Sequence, residues 1–148
     1  MNNIELAKSN IRQARERVRH ASEALDTGNY PYVVRQSQEA VELALKAALR
    51  IVGIEPPKWH DVGPVLRRER LRFPRWFQEL IDELASISRS LRKERELAMY
   101  GDEESGIPPE ELYTKRDAEH ALNDAVKVVR TVEKLLNEVL GAHRDPLP

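Results

Sequence analysis

The sequence predicts an all-α protein, an up-and-down four-helix bundle with an extra short helix. Apolar residues recur at spacings of three and four over four long stretches, as one face of a helix requires. Glycines and prolines gather between those stretches. None of the four is apolar all round, so each hides its stripe only against the others, which defines a bundle.

The first stripe comprises Ile4, Ala7, Ile11, Ala14, Val18, Ala21 and Leu25, and Gly28 stops it. Pro31 then falls in the first turn of a second helix, where its missing N–H is no loss. That helix carries Val34, Ser37, Val41, Ala44, Leu45, Ala48 and Val52 inward and ends at Gly53. Pro56, Pro57 and Pro64 make residues 54–64 a crossing loop, with a short helix expected within 62–70. Pro74 suits the start of a third long helix reaching Gly101, whose inward stripe reads Phe77, Ile81, Leu84, Ser88, Leu91, Arg95 and Ala98. Residues 102–113, with Gly106, Pro108 and Pro109, form a connector. Thr114 with Asp117 three positions on can cap the fourth helix reciprocally. Its stripe, Ala118, Leu122, Ala125, Val129, Val132, Leu136 and Val139, repeats every seven residues until Gly141.

A chain of 148 residues, 41% hydrophobic and 33% charged, has the size and balance of one folded domain, placed at residues 1–141 with a tail at 142–148. The absence of cysteine excludes a disulfide framework, a thiolate metal site and a cysteine nucleophile, and suits a reducing cytoplasm. The charge-rich N-terminal stretch predicts neither a secretory signal nor a membrane span. With 24 basic against 25 acidic residues, net charge gives no global argument for nucleic acid, so any such contact must be local.

Arg95 is the chief anomaly, a guanidinium where the stripe calls for an apolar side chain. Either it pairs with an acid of a neighbouring helix, such as Glu39 or Glu42, or it faces a cleft and holds phosphate where Tyr100 and Gly101 break the chain. The run from Arg67 to Trp76 mixes five arginines with Phe73 and Trp76. That composition suits phosphate contact with base stacking, and equally a solvated loop whose aromatics plug the end of the bundle. Arg12, Arg15 and Arg19 read as an exposed helix face. His60 beside Asp61 offers a general base or ligand, against the plainer reading that the pair caps the short helix that follows. The histidines have no metal-binding spacing, and no glycine-rich phosphate loop, nucleophile elbow or dinucleotide fingerprint is present, so neither a metal nor a cofactor is expected.

From about Leu6 to Leu140 the order of these features resembles the HEPN family. The stretch GNYPYVVRQSQEAVELALKAALRIVGIEPPKWHDVGPVL is similar to that family's second helix and following loop, and SRSLRKERELAMYGD to its signature segment. The resemblance implies a homodimer in which two signature segments meet in a cleft that, in active members, cuts RNA without a metal. It assigns Arg95 to the signature arginine and places Glu42, Lys46 and His60 among the binding positions. It puts Tyr100, after four intervening residues, where nuclease members carry histidine.

Histidine can move protons near neutral pH, whereas tyrosine, with a reference pKa near 10, does so poorly. The resemblance therefore implies a degenerate ribonuclease motif that retains phosphate affinity through Arg95. The function expected is a dimeric RNA- or nucleotide-binding module that partners a minimal nucleotidyltransferase. The alternative is a metal-independent ribonuclease toxin using Arg95 and Tyr100 with help from His60. In some family pairs a tyrosine of the signature segment receives adenylate from the partner, which makes Tyr100 a candidate acceptor. The plain alternative is a helix-ending tyrosine packed on the dimer partner.

Overall fold

The computed structural model describes residues 3–59 and 61–143, the last two by backbone alone. Its long elements are α1 (Asn3–Asp26), α2 (Tyr30–Ile51), α5 (Ile81–Lys93) and α8 (Lys115–His143), with short helices α3 (Gly63–Arg68), α4 (Arg75–Gln78), α6 (Arg95–Tyr100) and α7 (Pro109–Leu112) between them. A single 3-10 turn covers Arg70–Arg72. Among the described residues the one β-type pairing is an isolated bridge between Asp102 and Ile107. The all-α expectation holds, including the extra short helix after the proline loop.

The element boundaries follow the local chemistry. Pro31 lies in the first turn of α2 as expected, and Gly28 and Gly53 adopt the positive φ that lets the chain leave a helix. At the start of α8 the reciprocal cap forms: Thr114 N–H donates to Asp117 Oδ2 at 2.9 Å and Asp117 N–H to Thr114 Oγ1 at 3.2 Å. Gly141 does not end α8, which runs to His143, because one glycine costs a helix only about 1 kcal/mol.

Helix α2 is the centre of the bundle. It packs against α1, α8, α5 and α6, and is buried well beyond its predicted stripe, with Val33, Ala40, Ala47, Leu49 and Ile51 added to the core. Alanines on α1 and α2 let the backbones approach closely, while Leu45, Leu49, Phe77, Ile81 and Leu135 supply volume. Each such large side chain contributes roughly 1.5–3 kcal/mol by leaving water.

The third long helix is broken. It is delivered as α4, α5 and α6, interrupted at Leu80 and Glu94. At the second break the Glu94 N–H bonds to Leu91 O at 3.0 Å, a tightened i to i−3 step, before the ladder resumes with Ala98 N–H to Glu94 O at 2.9 Å. This step decides which side chains of the signature segment face the bundle. Glu94 takes the inward polar position, and Arg95, placed inward by the sequence, is exposed.

Candidate functional site

The signature residues lie on α6 and the end of α5. Helix α6 is six residues long and held by its end: Gly101 has φ 76° and ψ −168°, a region open essentially to glycine alone. A β-carbon there would stand 2.2 Å from Ile107 O. The chain then folds back on itself, with Asp102 N–H donating to Ile107 O at 2.8 Å and Ile107 N–H to Asp102 O at 3.0 Å. Ala98 is the buried anchor of α6, leaving Arg95, Leu97, Met99 and Tyr100 in water.

Arg95 and Tyr100 do come together. They line one open groove with Arg92, Lys93, Glu96 and Met99. Neither Arg95 nor Lys93 has an ion-pair or hydrogen-bond partner among the described residues, so two cations stand over the groove against the single carboxylate of Glu96. The pairing of Arg95 with Glu39 or Glu42 is therefore corrected. Glu39 lies 3.9 Å from Arg17, and Glu42 belongs to Arg92.

Arg92 is the residue that sequence reasoning missed. Half-buried, it donates from Nη1 to Glu42 Oε1 at 3.2 Å and from Nη2 to Trp59 O at 3.0 Å, tying α5 to α2 and to the proline loop while its side chain borders the groove. Its position four residues after buried Ser88 was the available signal, since i and i+4 share a helix face. Lys46 is half-buried one turn beyond Glu42 on α2. His60 lies outside the described residues; Val62, without a side-chain cap bond, is the N-cap of α3 in place of the expected pair, and Asp61 just before it accepts from Gly63 N–H at 3.2 Å and from Ser88 Oγ at 2.8 Å.

A second cleft lies behind the break, between α5, α7 and α8, lined in part by Val34, Leu91, Glu94, Tyr113, His120 and Asp124. Tyr113 donates its hydroxyl to Glu94 Oε2 at 2.7 Å. Burial first, and then the bonded carboxylate, push the Tyr113 pKa above the usual tyrosine value. His120 and Asp124 are 3.4 Å apart.

The basic run resolves to the structural reading. Arg67 and Arg70 converge on Asp82, whose carboxyl is held below its usual range by the Arg67 hydrogen bond and the nearby Arg70 charge. Phe73 and Phe77 stack at 4.5 Å within the core, and Trp76 donates its N–H to Glu138 at 2.7 Å. On α1, Arg15 pairs with Glu133, and Arg19 with Glu16 and Glu23. Among the described residues no group of three or more His, Cys, Asp or Glu is placed to hold a metal ion. No described helix is long and apolar enough to cross a membrane.

A helical bundle whose broken third helix presents an arginine and a tyrosine on a short exposed turn defines a class of α-helical domain with an R-x4-Y segment. Comparison with known proteins places it more narrowly. The HEPN domain profile matches residues 7–135, and the chain belongs to the HEPN family. It is 35% identical, over a 144-residue alignment covering 94% of this chain and 93% of the other, to a protein of Methanocaldococcus jannaschii named "Putative toxin MJ1304". The crystal structure of TT1696 from Thermus thermophilus superposes with a TM-score of 0.71 at 29% identity, covering 90% of this chain and 98% of that one.

Proposed function

We propose that this protein is a dimeric HEPN module that binds RNA or nucleotide phosphate through Arg95 and partners a minimal nucleotidyltransferase, with a ribonuclease motif weakened by Tyr100 in the histidine's place. The observation that carries this reading is the groove that unites Tyr100 with exposed Arg95 and Lys93, neither of which has an ion-pair partner among the described residues. Free guanidinium donors beside an ammonium suit the oxygens of a phosphate. Such donors can stabilise charge without a proton-transfer group, which gives affinity with little rate.

Several features support the remaining parts. Leu97, Met99 and Tyr100, each 39% exposed or more on one short helix, supply apolar surface for a second copy whose groove would face this one. Glu42 pairs with Arg92 beside the groove, and the family resemblance adds Lys46 and His60 as binding positions, the latter outside the described residues. The module is taken as residues 1–141, working without metal or cofactor. A cysteine-free chain suits the reducing cytoplasm.

The second reading, a metal-independent ribonuclease toxin in which Arg95 and Tyr100 are catalytic, is favoured by the printed name of the archaeal relative. A time course of purified protein with labelled total RNA in EDTA separates the two, run with wild type, Arg95→Ala and Tyr100→Phe. Intact RNA in all three samples supports the binding module. Chelator-resistant cleavage by wild type that both substitutions abolish establishes the toxin reading instead.

A further inference from the structure

An indole ring is among the costliest side chains to leave in water, yet Trp59 is 81% exposed. The loop that carries it is anchored on both sides. Pro56 is buried before it. After it, Asp61 accepts hydrogen bonds from Gly63 N–H and Ser88 Oγ. The carbonyl of Trp59 itself accepts from Arg92 Nη2 at 3.0 Å. These contacts fix the backbone and leave the ring outside, so its exposure is a property of an anchored loop.

The anchor also determines what lies nearby. The guanidinium that holds the Trp59 carbonyl belongs to the residue that lines the groove with Lys93, Arg95 and Tyr100. Lys58 is exposed one position earlier. Arg92 thus ties the loop that carries an open π face and Lys58 to the groove that carries Lys93 and Arg95, none of these three cations having an ion-pair partner among the described residues. Single-stranded nucleic acid asks for that combination, with bases stacking on an aromatic platform and cations tracking the phosphates.

We propose that Trp59 is a stacking platform for a base of single-stranded RNA whose flanking phosphate is taken by Arg95 and Lys93. This inference rests on the phosphate-binding reading of Arg95 and extends it from phosphate to base. Because every base has a π face, the platform contributes affinity with little sequence preference.

The test titrates wild type, Trp59→Phe, Trp59→Ala and Arg95→Ala with a short fluorescein-labelled oligoadenylate RNA in EDTA. Anisotropy and tryptophan emission are read together, and the mass of each variant is taken by sedimentation. Trp59→Ala should weaken binding about fivefold or more and Trp59→Phe much less, the range that one stacked base supplies. Wild-type emission should be partly quenched, with the residue from Trp76, whose ring packs edge-on against Phe77. An unchanged isotherm for Trp59→Ala beside a weakened Arg95→Ala overturns the platform and leaves the phosphate reading standing. No RNA binding by wild type overturns both. Conversion of a dimer to a monomer by Trp59→Ala places the ring in an interface and overturns the platform.

Discussion

Arg92 on α5 and Glu42 on α2 meet at 3.2 Å between the two helices, and the other arm of the same guanidinium holds the carbonyl of Trp59. One half-buried cation thus sets the spacing of two helices and the path of the proline loop, beside a groove where Arg95 stands free. The division of labour between Arg92 and Arg95 follows from the break at Glu94, which turns the second arginine outward.

That ion pair gives a first prediction. Glu42→Ala leaves Arg92 half-buried without its carboxylate, and a charged hydrogen bond of this kind is worth about 1.5–3 kcal/mol before solvent screening, which lowers the figure to about 1–2 kcal/mol here. A thermal melt should fall by about 2–8 °C. An unaltered melt would show that solvent replaces the pair at no cost.

Gly101 carries the second. Alanine there meets Ile107 O at 2.2 Å from its β-carbon and must hold a φ of 76°, so Gly101→Ala should cost about 3 kcal/mol and lower the melting temperature by about 6–12 °C. Because Gly101 directly follows Tyr100, the same variant should lose RNA affinity below its melting range. A melt within about 1–2 °C of wild type would mean that the fold-back at Asp102 and Ile107 opens freely.

Tyr113 makes stability depend on alkaline pH. Its raised pKa means that the folded state favours the neutral phenol. The stabilisation is therefore fully present below the unfolded value near 10 and is lost as pH rises above it. Tyr113→Phe should be about 1 kcal/mol less stable at pH 7, for want of the bond to Glu94. The gap between the two proteins should shrink in denaturant melts run at increasing pH above about 10. A gap that stays constant with pH would show that Tyr113 titrates normally.

Much of this fold was legible in the residues. The α1, α2 and α8 stripes, the stops at Gly28 and Gly53, Pro31 in its first turn and the Thr114–Asp117 cap all rest on local rules that tertiary packing did not override. The breaks at Leu80 and Glu94 were not legible, because neither has a proline or glycine to announce it, and periodicity carries straight through a tightened turn. That is why Arg95 was read as inward, and why the buried polar contacts of the segment fall to Arg92 and Glu94. The grouping of Arg95 with Tyr100 was readable from the signature spacing. The exposure of Trp59 was not, since a proline-rich loop has no periodicity to say which side of the chain a side chain takes.

The most direct test of the central claim is the affinity of wild type and Arg95→Ala for a short single-stranded RNA in EDTA, with the thermal melt of each recorded in the same buffer. Arg95 is exposed and has no ion-pair partner among the described residues, so the substitution should leave the melt within about 1–2 °C. It should weaken binding about tenfold or more, as loss of a charged hydrogen bond to phosphate requires. An unchanged isotherm, or a melt that collapses while affinity per folded molecule is kept, would contradict the assignment of Arg95 as the phosphate-binding residue.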